Sequence, residues 1–182
     1  VRSRGLGDVY KRQSMERRRL AKTGMLRSAH MLGNEEEIIF AATDLLADTK
    51  LAPELSNEAH YYRAKAYLDA GKTDGAMEDL KVLAKDTRNV YGAEAKYKVA
   101  QIYFDGGQTD KAEQEVLNYI EVSTPHTYWL ARSFVLLADV YMKLGRNLDA
   151  KQYLLSLKQN YQADDDIAGM IESRLEKLKT EN

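Results

Sequence analysis

The central part of the chain contains a pattern of four residues that occurs three times. In each copy an alanine is followed by a tyrosine three residues later, by a glycine after four more and by an alanine after a further five. The glycines of successive copies stand 36 and 38 residues apart. Self-similarity at this period predicts a solenoid, in which each helical hairpin buries its apolar face against its neighbours. The three copies are Ala64, Tyr67, Gly71, Ala76; Ala100, Tyr103, Gly107, Ala112; and Ala138, Tyr141, Gly145, Ala150.

The third copy indicates that the unit is a pair of helices. Gly145 predicts the end of the first helix, because glycine adopts the left-handed backbone conformation without a steric penalty. Ala150 is expected where the two helices cross closely. Apolar residues on both sides of the turn recur at steps of three and four, which places them on one face of each helix. They are Leu130, Phe134, Leu137, Ala138, Tyr141 and Met142 before the turn, and Leu148, Tyr153, Leu154 and Leu157 after it.

These units resemble the tetratricopeptide repeat family. The family has a large apolar residue, leucine, a small residue and tyrosine in the first helix, and alanine followed by an aromatic residue in the second. His60, Arg63 and Lys96 replace large apolar residues of that pattern, and the period exceeds 34 residues, which we interpret as longer loops. The resemblance covers roughly residues 57–161 and is also typical of bacterial envelope proteins. The best match is Phe134-x2-Leu137-Ala138-x2-Tyr141 with Ala150-x3-Leu154.

The expected fold is therefore all-α, a right-handed α-solenoid of stacked helix-turn-helix hairpins with a C-terminal capping helix. Loops are expected at Pro53 and Pro125, and Ser56 or Asn57 can cap the helix that follows the first of them. Glutamates at 35–37 and aspartates at 164–166 fit the first turns or caps of helices better than metal sites. The predicted hairpins span about 15–50, 57–86, 93–121 and 127–161, and the capping helix about 164–179.

Residues 1–13 are expected to lie outside the packed fold. They show no amphipathic period, and Ser3 to Gln13 resemble the translation of a transposon-end adapter used in preparing sequencing libraries. The alternative is a basic arm for nucleic acid or membrane. On the adapter interpretation the native reading frame is cut at its front, further repeats can precede Met15, and the rest of the chain is mildly acidic.

Composition and motifs argue against several function classes. The formal charge of −1 and the lack of a basic stripe argue against a nucleic-acid partner, and no apolar run reaches 18 residues, as a membrane span requires. There is no cysteine, and His30, His60 and His126 stand apart from other metal ligands. We therefore predict no catalytic, cofactor or metal site. Bacterial periplasm or cell envelope is the compartment that the family resemblance suggests.

The first function hypothesis is a non-enzymatic scaffold that binds a peptide or partner protein through the concave face of the array. Tyr61, Tyr97 and Phe104 are the expected aromatic anchors. The alternative hypothesis is a regulatory or assembly segment of a larger envelope protein or enzyme, which the full-length gene would distinguish. The family resemblance places the following residues in the partner-binding groove: Glu58, Tyr61, Lys65, Leu68, Asp69, Glu94, Tyr97, Gln101, Phe104, Asp105, Arg132, Val135, Asp139, Met142 and Lys143.

Overall fold

The structure is a computed structural model that describes residues 2–122 and 124–180, with the side chains of residues 2–8 left outside the description. The residues so described form helices and no β-strand. This confirms the all-α class and the repeating hairpins. The helices are α1 (Arg2–Leu32), α2 (Glu35–Leu46), α3 (Pro53–Asp69), α4 (Thr73–Leu83), α5 (Val90–Asp105), α6 (Thr109–Ile120), α7 (Thr127–Lys143), α8 (Asn147–Asn160) and α9 (Ile167–Thr180).

Four glycines occupy the tight turns inside the hairpins. Gly33, Gly71, Gly107 and Gly145 have φ between 66° and 73°, the left-handed region that side chains disfavour. The backbone N–H of each residue after these glycines donates back to the preceding helix, as Arg146 does to a carbonyl at 2.8 Å. This pattern is the Schellman type of helix end, and it confirms the turn role predicted from the glycine spacing.

The chain forms two compact units, Val1–Asp79 and Leu80–Asn182. In the first unit, which we call unit 1, α2 packs against both α1 and α3. Three acidic side chains lie in the first turn of α2, where they face the positive end of the helix dipole. The buried apolar cluster that joins these three helices contains Leu26, Ala29, Ile38, Ala41, Ala42, Leu45, Ala59 and Ala66.

Unit 2 contains the hairpins α5–α6 and α7–α8, followed by α9. Helix α7 packs against α5 and α6, and α9 packs against α7 and α8. Ala112, Ala138 and Ala150 are fully buried in its core. A side chain larger than a methyl group at these positions would separate the crossing helices. Asp165 caps α9, since its carboxylate accepts a hydrogen bond from the Ile167 N–H at 3.0 Å.

Two helix starts differ from the sequence-based expectation. Helix α1 begins at Arg2, earlier than the Met15 start that its apolar pattern indicates, and no proline interrupts residues 2–32. The described side chains of residues 9–13 are exposed, and their exclusion from the packed fold stays a prediction. Helix α3 begins at Pro53 with Ala52 as its cap, so Ser56 and Asn57 lie inside the helix and neither has the predicted capping role. Proline suits this position because the first helical N–H has no partner within the helix.

Candidate partner-binding surface

In unit 2, polar side chains on the first helix of one hairpin form a hydrogen-bonded row. The Tyr97 hydroxyl donates to Gln101 Oε1 at 2.7 Å, and Gln101 Nε2 donates to Asp105 Oδ1 at 2.8 Å. The three residues are spaced by four, which brings them onto one face of α5. We call this set the α5 row.

Arg132 on α7 continues the α5 row onto the next hairpin. Its Nη1 donates to the Tyr128 hydroxyl at 2.8 Å and to Asp166 at 3.3 Å, while Nη2 donates to the Tyr97 hydroxyl at 3.4 Å. The guanidinium carbon lies 5.1 to 5.9 Å from the ring centres of Tyr97, Tyr128 and Trp129. Arg132 is therefore held among three aromatic rings by cation–π contacts as well as by hydrogen bonds.

The environment of Arg132 keeps its charge. Burial alone would lower the pKa of the guanidinium, but hydrogen bonds to the hydroxyls of Tyr128 and Tyr97 outweigh it and the pKa is raised. The Nε atom is buried and has no hydrogen-bond partner among the residues that the structure describes. Arg132 therefore serves the internal packing of unit 2, and only part of its hydrogen-bonding capacity is left for a ligand.

A second ion pair joins α7 to the C-terminal helix. Arg174 Nη2 donates to Asp139 Oδ2 at 2.7 Å, and Nε donates to Oδ1 at 2.9 Å. Both side chains are about one quarter exposed. The pair is bidentate, which fixes the geometry of a carboxylate more firmly than a single contact does.

The more exposed part of this surface lies near the C-terminal ends of α5 and α7. Lys143 and Asp105 are exposed, whereas Phe104 and Met142 are half-buried and pack at the edge of the core. Lys143 Nζ lies 5.2 Å from the centre of the Phe104 ring. We call these four residues the α5–α7 patch. It combines an aromatic ring with charges of both signs.

A separate surface of unit 1 contains the five groove residues predicted on α3. Lys65 and Asp69 are exposed, and Lys65 Nζ lies 5.6 Å from the centre of the half-buried Tyr61 ring. Arg27 donates two hydrogen bonds to Glu58, at 2.7 and 2.8 Å. The strongest of these side-chain interactions therefore joins α1 to α3 within unit 1.

Two of the predicted groove residues lie in the core. Tyr97 is 6% exposed and Val135 is 2% exposed. Tyr97 contacts Trp129 and Arg132 of α7, and Val135 belongs to the buried core cluster of unit 2, so neither offers the exposed side chain that an anchor needs. Glu94 and Leu68 are half-buried.

Sequence reasoning missed the four residues that hold Arg132 and Asp139. The repeat period could have indicated these residues, because contacts between successive first helices join residues about one repeat apart. Arg132 lies 34 residues before Asp166 and 35 after Tyr97, and Arg174 lies 35 after Asp139. The missed residues are Tyr128, Trp129, Asp166 and Arg174.

Within the part of the chain that the structure describes, no group of three or more histidine, cysteine, aspartate or glutamate side chains could hold a metal ion. Among those same residues, no helix is long and apolar enough to cross a membrane.

Comparison with known proteins identifies two units of the array. Two family models for the tetratricopeptide repeat match, one at residues 58–86 and the other at residues 131–159. A search of curated proteins finds no match to this sequence.

Solved structures share the fold over most of the chain. One is a crystal structure of nearly identical TPR-like repeats from a Podosopora anserina protein designated as a putative kinesin light chain, and another is a single-residue variant of those repeats. The variant has a TM-score of 0.56 at 16% identity and covers 90% of this chain and 93% of its own. The other has a TM-score of 0.54 at 16% identity and covers 90% and 94%. The chain therefore contains two units that match the tetratricopeptide repeat family, at residues 58–86 and 131–159, and it has the fold of TPR-like repeats.

Proposed function

We propose that this protein is a non-enzymatic scaffold that binds a peptide or a partner protein through the surfaces of its first helices. Tetratricopeptide repeats generally mediate interactions between proteins, which supports the general role. The finer assignment depends on which first-helix residues remain available to a partner.

The α5–α7 patch carries the proposal in unit 2. Phe104 retains exposed surface next to exposed charges of both signs, Asp105 and Lys143. An aromatic side chain supplies contact area at low entropic cost, and flanking charges favour one register of a bound segment. The expected ligand is a peptide with an apolar side chain flanked by an acidic and a basic residue.

The Arg132 cluster has a supporting role in this proposal. Its guanidinium already contacts Tyr97, Tyr128 and Asp166. A ligand that used Arg132 directly would have to replace those contacts. We therefore assign to this cluster the positioning of α7 relative to α5, and to the α5–α7 patch the contact with a partner.

The experiment selects binding peptides from a displayed random library on the immobilised full chain, and then measures their affinity by fluorescence anisotropy. Phe104→Ala and Lys143→Glu should each weaken binding by tenfold or more. Leu117→Ala and Lys151→Glu on the second helices are the matched controls, because Leu117 and Lys151 are exposed away from the patch.

Circular dichroism melts identify variants that fail to fold, and a charge reversal distinguishes direct contact from a loss of stability. For a peptide whose acidic residue pairs with Lys143, Lys143→Glu should bind the charge-reversed peptide better than the original. Equal binding by all four folded variants would contradict the proposal.

A further inference from the structure

Unit 1 has an apolar surface on the hairpin of α1 and α2. Met25, Leu32 and Phe40 are 55%, 78% and 68% exposed. With Ala29 and Ala41 they line a groove of about 420 Å³. We call these five residues the α1–α2 face. A contiguous exposed apolar patch of this kind marks an interaction surface, whereas single exposed apolar residues do not.

The repeat indicates what kind of element can cover one part of this face. Met25 stands eight residues before its turn glycine, Gly33, and Leu137 stands eight before Gly145. In unit 2, where α6 packs against α7, Leu137 is fully buried. A packed helix is therefore the kind of element that fits over Met25.

Phe40 requires a different explanation. The equivalent positions, seven residues after the turn glycine, hold Glu78, Gln114 and Gln152. All three are polar and exposed, two of them in unit 2, where a neighbouring hairpin is already packed. An additional hairpin of the ordinary repeat would therefore cover Met25 and leave Phe40 in water. The occupant of the face must also reach α2.

A second copy of this chain can cover both α1 and α2, and its charges are complementary to those at the two ends of the face. Arg18, Met25 and Leu32 lie at steps of seven along α1, so they form one stripe. Exposed arginines at 17 and 18 lie toward one end of the face, and exposed glutamates at 35–37 lie at the other. A two-fold axis near Met25 pairs the helices antiparallel. The basic end of each copy then lies beside the acidic end of the other.

We propose that the protein forms a homodimer through the α1–α2 face. About 20 residues of α1 and the 12 residues of α2, at 1.5 Å per residue and ~10 Å of width per helix, present roughly 500 Å² per copy. The total of ~1,000 Å² is at the lower limit for a specific interface. The expected dissociation constant is therefore on the order of micromolar.

The test is sedimentation equilibrium of the full chain across a concentration series. The mass should rise from 20.7 kDa toward twice that value. Phe40→Glu and Met25→Glu should raise the dissociation constant by tenfold or more. Leu148→Glu is the matched control, because Leu148 is 69% exposed on α8 of unit 2 and should leave the dimer intact.

A charge swap tests the antiparallel arrangement. Arg18→Glu should weaken the dimer, and Arg18→Glu combined with Glu36→Arg should restore it at low salt. Circular dichroism confirms that each variant is folded. The proposal is overturned by a monomeric mass at the highest soluble concentration, or by equal effects of Phe40→Glu and Leu148→Glu.

Discussion

Lys96 Nζ lies 2.9 Å from Glu115 Oε2, across the two helices of one hairpin. The two residues stand eleven before and eight after the turn glycine, Gly107. In the next hairpin the same two positions hold Phe134 and Tyr153, whose ring centres are 6.1 Å apart. One contact between the helices of a hairpin is therefore ionic in one unit of the array and aromatic in the next.

Replacing the ion pair by the aromatic pair should preserve stability. Glu115→Tyr alone should cost about 1–3 kcal/mol, because Lys96 is only 17% exposed and would lose its partner. Lys96→Phe combined with Glu115→Tyr should recover most of that loss. Urea unfolding of the two single variants and the double variant measures the coupling. Additive effects would show that the two positions do not act as a pair.

The same pair of positions in unit 1 holds His60 and Asp79. Asp79 is 2% exposed, and its Oδ1 lies 2.7 Å from His60 Nδ1. Arg63 donates to both carboxylate oxygens, at 2.7 and 2.8 Å, and to the Thr43 hydroxyl at 2.9 Å. Asp79→Ala should cost ~3–5 kcal/mol, because the Arg63 charge would remain largely buried without its partner. Asp74→Ala on exposed α4 surface is the control, with little effect expected on thermal unfolding.

The Asp79 carboxylate should also make stability depend on acidic pH. Burial alone would raise its pKa, but hydrogen bonds from Arg63 and His60 outweigh burial and the pKa is lowered. A lowered pKa in the folded state contributes stability above the ordinary aspartate pKa, and that contribution is lost as pH falls through the folded value. The difference in unfolding free energy between wild type and Asp79→Asn should therefore shrink as pH falls below about 4. A difference that stays constant from pH 6 to pH 3 would contradict this.

Much of the fold could be predicted from the sequence, because the turn glycines and the crossing alanines are local signals at a fixed period. In the sequence, the two replaced positions, His60 and Lys96, depart from the family pattern. Their compensation by Asp79 and Glu115 lies nineteen residues away on the second helix. A pattern limited to one helix does not contain this compensation.

The candidate surface was less predictable than the fold. Which first-helix side chain stays exposed depends on the neighbouring helices, and Tyr97 of α5 is covered by Trp129 and Arg132 of α7. The role of α9 was difficult to predict for the same reason, because the contact of its Arg174 with Asp139 joins residues that are 35 apart in the sequence. Burial at such positions follows from packing between hairpins, which the helical period of a single hairpin does not determine.

Gly92 should not tolerate a side chain. It lies in the first turn of α5, where its N–H donates to Asn89 Oδ1 at 2.9 Å. A Cβ at this position would lie 2.0 Å from the Asp86 carbonyl oxygen and 2.7 Å from the Leu83 carbonyl oxygen. Gly92→Ala should cost at least ~2 kcal/mol, because the backbone of the preceding turn would have to move.

The control for Gly92→Ala is Gly24→Ala. Gly24 lies inside α1, and a Cβ there would meet nothing within 4 Å. That substitution should stabilise the protein by about 0.5–1 kcal/mol, because alanine restricts the unfolded chain more than glycine does. Chemical unfolding of both variants gives the comparison. A loss of stability in both would indicate that close approach is not the reason at Gly92.

The crossing alanines should limit the size of side chain in the core of unit 2. Ala112 and Ala138 are fully buried, and both belong to its core cluster. Ala112→Leu and Ala138→Leu should each cost roughly 1–3 kcal/mol, because the added methylenes push the helices of a hairpin apart. Lys111→Leu, next to Ala112 on the exposed side of α6, should change the stability little. Thermal melts of the three variants provide the measurement, and equal losses at Lys111 and Ala112 would refute the assigned helix register.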